Sequence, residues 1–242
     1  MKKKIRRIVT FSKSMVLWCR PHIYLYWLQP FLSLFANTLT LSKWISKQEK
    51  KGIMNDFFCM KRDYGKRYQL YEYVIGKMAL DQEPVDYIEF GVSAGHSIRW
   101  WVERINHPGS NFYGFDTFEG LPENWGTFRK GDMVSNIPQI DDHRVHFFKG
   151  LFQDTVPSFV REKDLNQRKK IIHLDADLFS STLYALTSLA PCLKAGDILF
   201  FDEFNVPSHE FRAFKIFSES FYVKTKLLGA VNNYYQVAFM IL

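Results

Sequence analysis

Val85-Asp-Tyr-Ile-Glu-Phe-Gly-Val-Ser-Ala-Gly-His-Ser97 joins three signals in thirteen positions. Its first six residues are rich in β-branched and aromatic side chains and read as a short strand. Gly91 and Gly95 bracket a tight turn. From Ser97 the apolar spacing becomes helical, through Ile105. The same strand–turn–helix grammar recurs on either side. A helix is expected over Tyr68–Met78, before the strand. Further strands are expected at Asn111–Asp116, Val145–Phe148, Lys170–Asp175 and Asp197–Asp202, with helices at Ser181–Leu193 and Glu210–Ser220. The chain closes on two consecutive strands, Tyr222–Leu228 and Tyr235–Leu242. Alternating strands and helices predict an α/β fold: a mostly parallel sheet with helices on both faces and an antiparallel hairpin at one edge.

The 242 residues suit one such domain with an appendage, and 47% apolar with 24% charged residues excludes collagen-like, coiled-coil and wholly disordered chains. Cys19, Cys59 and Cys192 are odd in number and form no CxxC, so neither a zinc ribbon nor a disulfide framework is expected, and a reducing compartment is.

Charge divides the chain. Residues 1–67 hold 15 basic against three acidic residues, whereas the remainder holds 17 basic and 22 acidic. The net charge of +7 therefore describes an N-terminal extension, and no nucleic-acid partner is inferred from it. We place the extension at 1–56 and the body at 57–242. Ile23–Ser42 is uncharged, but Gln29, Pro30, Asn37 and Thr40 dilute it, and Pro30 disfavours a spanning helix. Arg20-Pro21 interrupts any signal-peptide core. Two readings stand: helices packing on the body or on a second copy in a homo-oligomer, or a peripheral anchor on an anionic membrane face with Trp18, Trp27 and Trp44 at headgroup level.

Four predicted strands end in or beside a carboxylate: Glu89, Asp116, Asp175 and Asp202. In open α/β sheets, ligands bind at the carboxyl ends of the strands. The Gly91–Gly95 turn is neither the dinucleotide fingerprint nor a P-loop. With Asp116, which suits the two hydroxyls of a ribose, it favours a nucleoside ligand without a large phosphate group. Asp175 and Asp177 share one side of an extended segment, and Asp202-Glu203 forms a second pair. Hard oxygen donors of this kind suit Mg²⁺, Mn²⁺ or Ca²⁺. Asp177 is expected instead to cap the next helix. Glu119–Pro138, with Trp125 and Phe128, is a candidate lid.

Tyr87-Ile-Glu-Phe-Gly-Val-Ser-Ala-Gly-His-Ser97, Gly114-Phe-Asp-Thr-Phe-Glu-Gly-Leu-Pro-Glu123, Lys149-Gly-Leu-Phe-Gln-Asp-Thr-Val-Pro157, His173-Leu-Asp-Ala-Asp-Leu-Phe-Ser-Ser-Thr182 and Phe200-Phe-Asp-Glu-Phe204 together resemble the macrocin O-methyltransferase (TylF-like) family of class I S-adenosylmethionine-dependent enzymes. The resemblance covers roughly 57–242. It implies a Rossmann-like seven-stranded sheet with the last strand antiparallel, and a cytoplasmic enzyme, at the inner membrane face if the extension anchors it. It implies S-adenosylmethionine as cofactor: Glu89, Gly91, Ser93, Gly95 and Ser97 around its methionine part, Asp116 on the ribose, Gly150 and Phe152 near the adenine. It implies Mg²⁺ held by Asp175, Asp202 and Glu203, with Asp175 also the catalytic base and a sugar or glycan hydroxyl as acceptor. The family usually carries Asp-Asp where this chain has Asp202-Glu203. The competing readings are a cephalosporin hydroxylase-like or other enzyme on the same scaffold, and a cofactor-binding scaffold without activity.

Overall fold

The computed structural model describes residues 2–242. Helices α1 (Lys2–Trp18), α2 (His22–Leu25) and α3 (Gln29–Ser46) lead into a two-residue strand β1 (Met54–Asn55) and helix α4 (Lys66–Met78). Then come β2 (Val85–Phe90), α5 (His96–Arg104), β3 (Asn111–Asp116), β4 (Val145–Lys149), α6 (Phe152–Glu162), β5 (Lys169–Leu174) and α7 (Phe179–Leu189). β6 (Ile198–Phe201), α8 (Glu210–Ser220), β7 (Thr225–Val231) and β8 (Gln236–Ile241) complete the chain. The strands form one sheet in the order β1-β7-β8-β6-β5-β2-β3-β4. β8 is antiparallel to both its neighbours, and every other pair is parallel. The expected seven strands are thus eight. The added β1 pairs only Met54 with Gly229 and Asn55 with Ala230, too short a stretch to show in a sequence pattern.

All six residues of β2 are buried, as expected of a central parallel strand covered on both faces. Alternation sends Ile88 and Phe90 to one core, with Phe115, Leu174, Phe201 and the apolar stripes of α6, α7 and α8. Tyr87 goes to the other, with Phe112, Ile171, Phe200 and the stripes of α4 and α5. Helix α6 was not anticipated. Its Phe152, Val156 and Phe159 have helical spacing, but Pro157 stands among them. The C-terminal half of α3 belongs to the first core. Trp44 packs edge-on or tilted against Phe204, Phe211, Phe214, Tyr234 and Phe239, with ring centroids 5.1–6.3 Å away. It is not free to sit among lipid headgroups, as the anchor reading had it, because these rings enclose it.

One buried ion pair ties β5 to the turn before β6. Lys170 Nζ lies 3.0 Å from Asp197 Oδ2, both side chains being almost fully buried. Asp197 also accepts from the backbone N–H of Lys170 and of Lys194. Asp197→Ala leaves the ammonium buried with only the Leu165 carbonyl as partner. It is expected to cost about 3–5 kcal/mol of unfolding free energy, read from urea midpoints. A loss below about 1 kcal/mol would show that water replaces the carboxylate.

β2, β3 and β4 extend one way from the centre of the sheet and β5 and β6 the other. The first crossover from each side leaves between β2 and β5, so their carboxyl ends open a crevice there.

Candidate functional site

A cavity of about 710 Å³ occupies that crevice. Its wall includes Gly91 and Ser93 after β2, Asp116 at the end of β3, Phe152 at the start of α6, Asp175 after β5, and Asp202 and Glu203 after β6. Gly91 holds φ at +92°, and a Cβ there would lie 1.9 Å from the carbonyl oxygen of Asp175, so only glycine lets the two loops touch. Gly95 sits at +77° beneath Pro138. Asp116 braces two loops: its Oδ2 accepts from Ser93 N at 2.8 Å and its Oδ1 from Phe118 N at 2.7 Å. Each oxygen keeps capacity for one further donor.

The acids after β5 and β6 converge. Asp202 Oδ2 accepts from Arg67 Nη1 at 3.3 Å, and Asp175 Oδ2 lies 4.0 Å from the same nitrogen. Asp177 faces Glu203, which also accepts from the Tyr235 hydroxyl. Asp177 therefore does not cap α7, whose first turn has no side-chain cap. Its φ of +57° bends the chain before the helix begins. Burial, then Asp202 and Asp177, pushes the Asp175 carboxyl well above its ordinary range. Burial and Glu203 push Asp177 up to about 9. Burial raises Asp202 and Glu203 too, against the pull of Arg67 on the first and of hydrogen bonds from Asp177 and Tyr235 on the second. The cluster is short of positive charge, and two of its buried oxygens, Asp202 Oδ1 and Glu203 Oε2, have no hydrogen-bond partner. Three carboxylates, two of them with an orphaned oxygen, are the donor set of a hard divalent cation, so the residues fit Mg²⁺. His173 approaches Asp175 and Asp202, one ligand atom of each of the three lying within 4.8 Å of the others. Both its ring nitrogens are taken, however, Nε2 by the Tyr71 hydroxyl at 3.1 Å and Nδ1 by that of Tyr87 at 2.8 Å. Burial and then Arg67 hold the ring neutral, its pKa pulled down to about 3. We therefore assign His173 to the framework.

The structure brings Gly91, Ser93, Asp116, Phe152, Asp175, Asp202 and Glu203 to one wall. It sets Glu89 and Ser97 behind that wall. Glu89 is buried, accepts from the Tyr87 hydroxyl, and burial, opposed by Tyr87 and Arg67, raises it to about 8. Ser97 accepts from Arg67 Nη2 at 2.7 Å. Gly150 precedes the wall residue Leu151, and neither it nor Gly95 lines the cavity. His96 is exposed at the first residue of α5.

Arg67 was missed, although its guanidinium lies against both Asp202 and Asp175. Burial works against its charge, yet Tyr71, Asp202 and Asp175 outweigh that and hold it cationic. The signal was available: Arg67 shares the 67, 70, 71, 74 spacing of the buried stripe of α4, where an arginine needs a partner. Arg62, held between the rings of Tyr64 and Tyr235, was missed too. The 119–138 segment contributes Leu121, Trp125, Phe128 and Met133 to the wall, with Trp125 and Phe128 stacked at 5.4 Å. Ser180 donates to Glu123 at 2.6 Å and fastens this segment to α7. The segment thus lines the cavity.

Residues 132–234 match the protein family described as Macrocin-O-methyltransferase (TylF). A curated relative from Streptomyces olivaceus, the 8-demethyl-8-(2,3-dimethoxy-alpha-L-rhamnosyl)-tetracenomycin-C 4'-O-methyltransferase, is 25% identical over 175 residues, covering 61% of this chain and 65% of the relative. The chain thus spans just under two thirds of that relative's length. Among solved structures, the calicheamicin methyltransferase CalS11 superposes with a TM-score of 0.57 at 18% identity, over 85% of this chain and 91% of its own. The O-methyltransferase NovP does so with a TM-score of 0.54 at 21% identity, over 73% and 78%. The class I methyltransferase fold and the resemblance to the family, both expected from the sequence, are borne out.

Proposed function

Taking the macrocin O-methyltransferase match over residues 132–234 as premise, we propose that the chain is an S-adenosylmethionine-dependent O-methyltransferase acting on a sugar hydroxyl. The observation that carries this reading is a single cavity lined both by Gly91, Ser93 and Asp116 and by Asp175, Asp202 and Glu203. A site for a nucleoside and a site for proton removal share one space. The relative's rhamnosyl substrate supports a sugar acceptor.

When bound, S-adenosylmethionine supplies a methyl group on a sulfonium leaving group, and Mg²⁺ makes a coordinated hydroxyl more acidic. Asp116 accepts the ribose hydroxyls, and its two backbone donors fix its carboxylate before the ligand arrives. Gly91, Ser93, Gly95 and Ser97 shape the backbone around the methionine part. Glu89, buried behind them, would add negative charge beneath the methionine part. Gly150 and Phe152 would border the adenine. Asp175 would take the proton of the acceptor hydroxyl. Asp202 and Glu203 complete the oxygen donors for Mg²⁺. Arg67 keeps Asp175 and Asp202 in register and offsets part of their mutual repulsion. Trp125 and Phe128 offer apolar faces to a sugar ring, and the 119–138 segment excludes water.

Calorimetric titration with S-adenosylhomocysteine tests the cofactor half. Micromolar binding is expected, weakened at least about tenfold in Asp116→Ala through loss of charge-assisted hydrogen bonds. A folded protein that takes up no S-adenosylhomocysteine, with or without Mg²⁺, would remove the reading.

A further inference from the structure

Residues 2–39, Asn37 apart, form a surface that the body does not use. In α1, Ile5, Ile8, Val9, Met15 and Val16 fall on one side of the helix, with Phe11 and Trp18 at its margin. Lys3, Arg6, Arg7 and Lys13 fall on the other. No residue of α1 is buried, and Trp18 is 77% exposed. The exposed apolar run continues through Tyr24, Leu25, Tyr26 and Trp27 into the first half of α3. There Phe31, Leu32, Phe35 and Leu39 face away from the body, while Asn37, Leu41 and Trp44 turn toward it. So many exposed large apolar side chains in one segment mark an interaction site.

Charge and length identify what covers it. Lys2 to Lys4, Arg6, Arg7, Lys13 and Arg20 are accompanied by no acidic residue before Glu49. A cationic surface with its apolar side chains presented together complements a layer that is anionic outside and apolar within. Among the described residues no helix is long and apolar enough to cross a membrane, so the segment would lie along such a layer. Trp18, Tyr24, Tyr26 and Trp27 are the amphipathic rings that favour its interface.

We propose that residues 2–39 dock this protein on the anionic headgroup surface of a lipid bilayer, α1 lying in the plane of the interface. The proposal stands independently of the methyltransferase reading. It also ties the surface to the cavity. Asn37 donates to Ser208 at 3.1 Å, and Trp44 packs on Phe204, so α3 rests on the loop after β6 that carries Glu203.

The test is flotation of the full-length protein with vesicles of phosphatidylcholine alone and of phosphatidylcholine mixed with phosphatidylglycerol. Recovery with the mixed vesicles is expected to exceed that with neutral ones by at least about tenfold and to fall as salt is raised. It should be lost in the triple variant Lys3→Glu, Arg6→Glu, Arg7→Glu and, separately, in Ile8→Asp. These positions touch nothing in the body, so circular dichroism and S-adenosylhomocysteine binding should match the parent. Folded protein that stays with the unbound fraction would overturn the proposal. So would equal recovery on both vesicle types. So would a stable dimer in light scattering that ignores vesicles and dissociates in Phe31→Asp, which would make a second copy the occupant.

Discussion

Asp175→Asn is expected to lower kcat by roughly 10²–10⁴-fold while S-adenosylhomocysteine binding is unchanged. The substitution keeps the shape of the side chain and removes its capacity to take a proton. The loop holding it should not move, because Asp175 is fixed through its backbone: its N–H donates to Phe90 O at 2.9 Å. Arg67 keeps its nearer partner, Asp202, at 3.3 Å. Steady-state rates with a sugar acceptor, set beside a calorimetric titration of the same preparation, read the two effects separately. Parent-like turnover would move the base elsewhere in the cluster. Loss of both turnover and binding would make Asp175 part of the framework instead.

Gly91→Ala should act on the whole crevice. The backbone at +92° is strained for any residue with a Cβ, and that atom would overlap the Asp175 carbonyl at 1.9 Å. Strain and overpacking together are expected to cost about 3–5 kcal/mol, with relief available only by parting the β2 and β5 loops. Parting them would also lengthen the Gly91 N to Phe115 O bond, now 2.9 Å. The expected result is a large drop in the thermal midpoint together with loss of S-adenosylhomocysteine binding. An alanine variant with the parent's midpoint would mean that the turn has a second conformation available.

The fold was legible where a single period dominates. Val85–Phe90, Asn111–Asp116 and Glu210–Ser220 match the structure at both ends, because strands buried on both faces and an amphipathic helix write their contacts into local sequence. Helix α6 was hidden by Pro157, and β1 by its brevity. The acids at the strand ends were legible because the position of a carboxylate at the end of a strand follows from topology alone. What their side chains then do depends on neighbours distant in the chain. Asp177 turns to Glu203 rather than to its own helix, Glu89 is sealed under Tyr87, and Arg67 reaches the acids from a helix more than a hundred residues earlier.

Trp44 gives the chain a seam. Enclosed by five aromatic rings of the body, it makes the second half of α3 inseparable from the sheet, while everything before about residue 40 touches the body almost nowhere. The two halves of one continuous helix therefore answer to different constraints. Residues 2–39 could be exchanged between proteins, redirecting where an otherwise unchanged body resides. A graft cut at residue 57 would instead carry away a piece of the core and leave Phe204, Phe211 and Phe239 facing solvent.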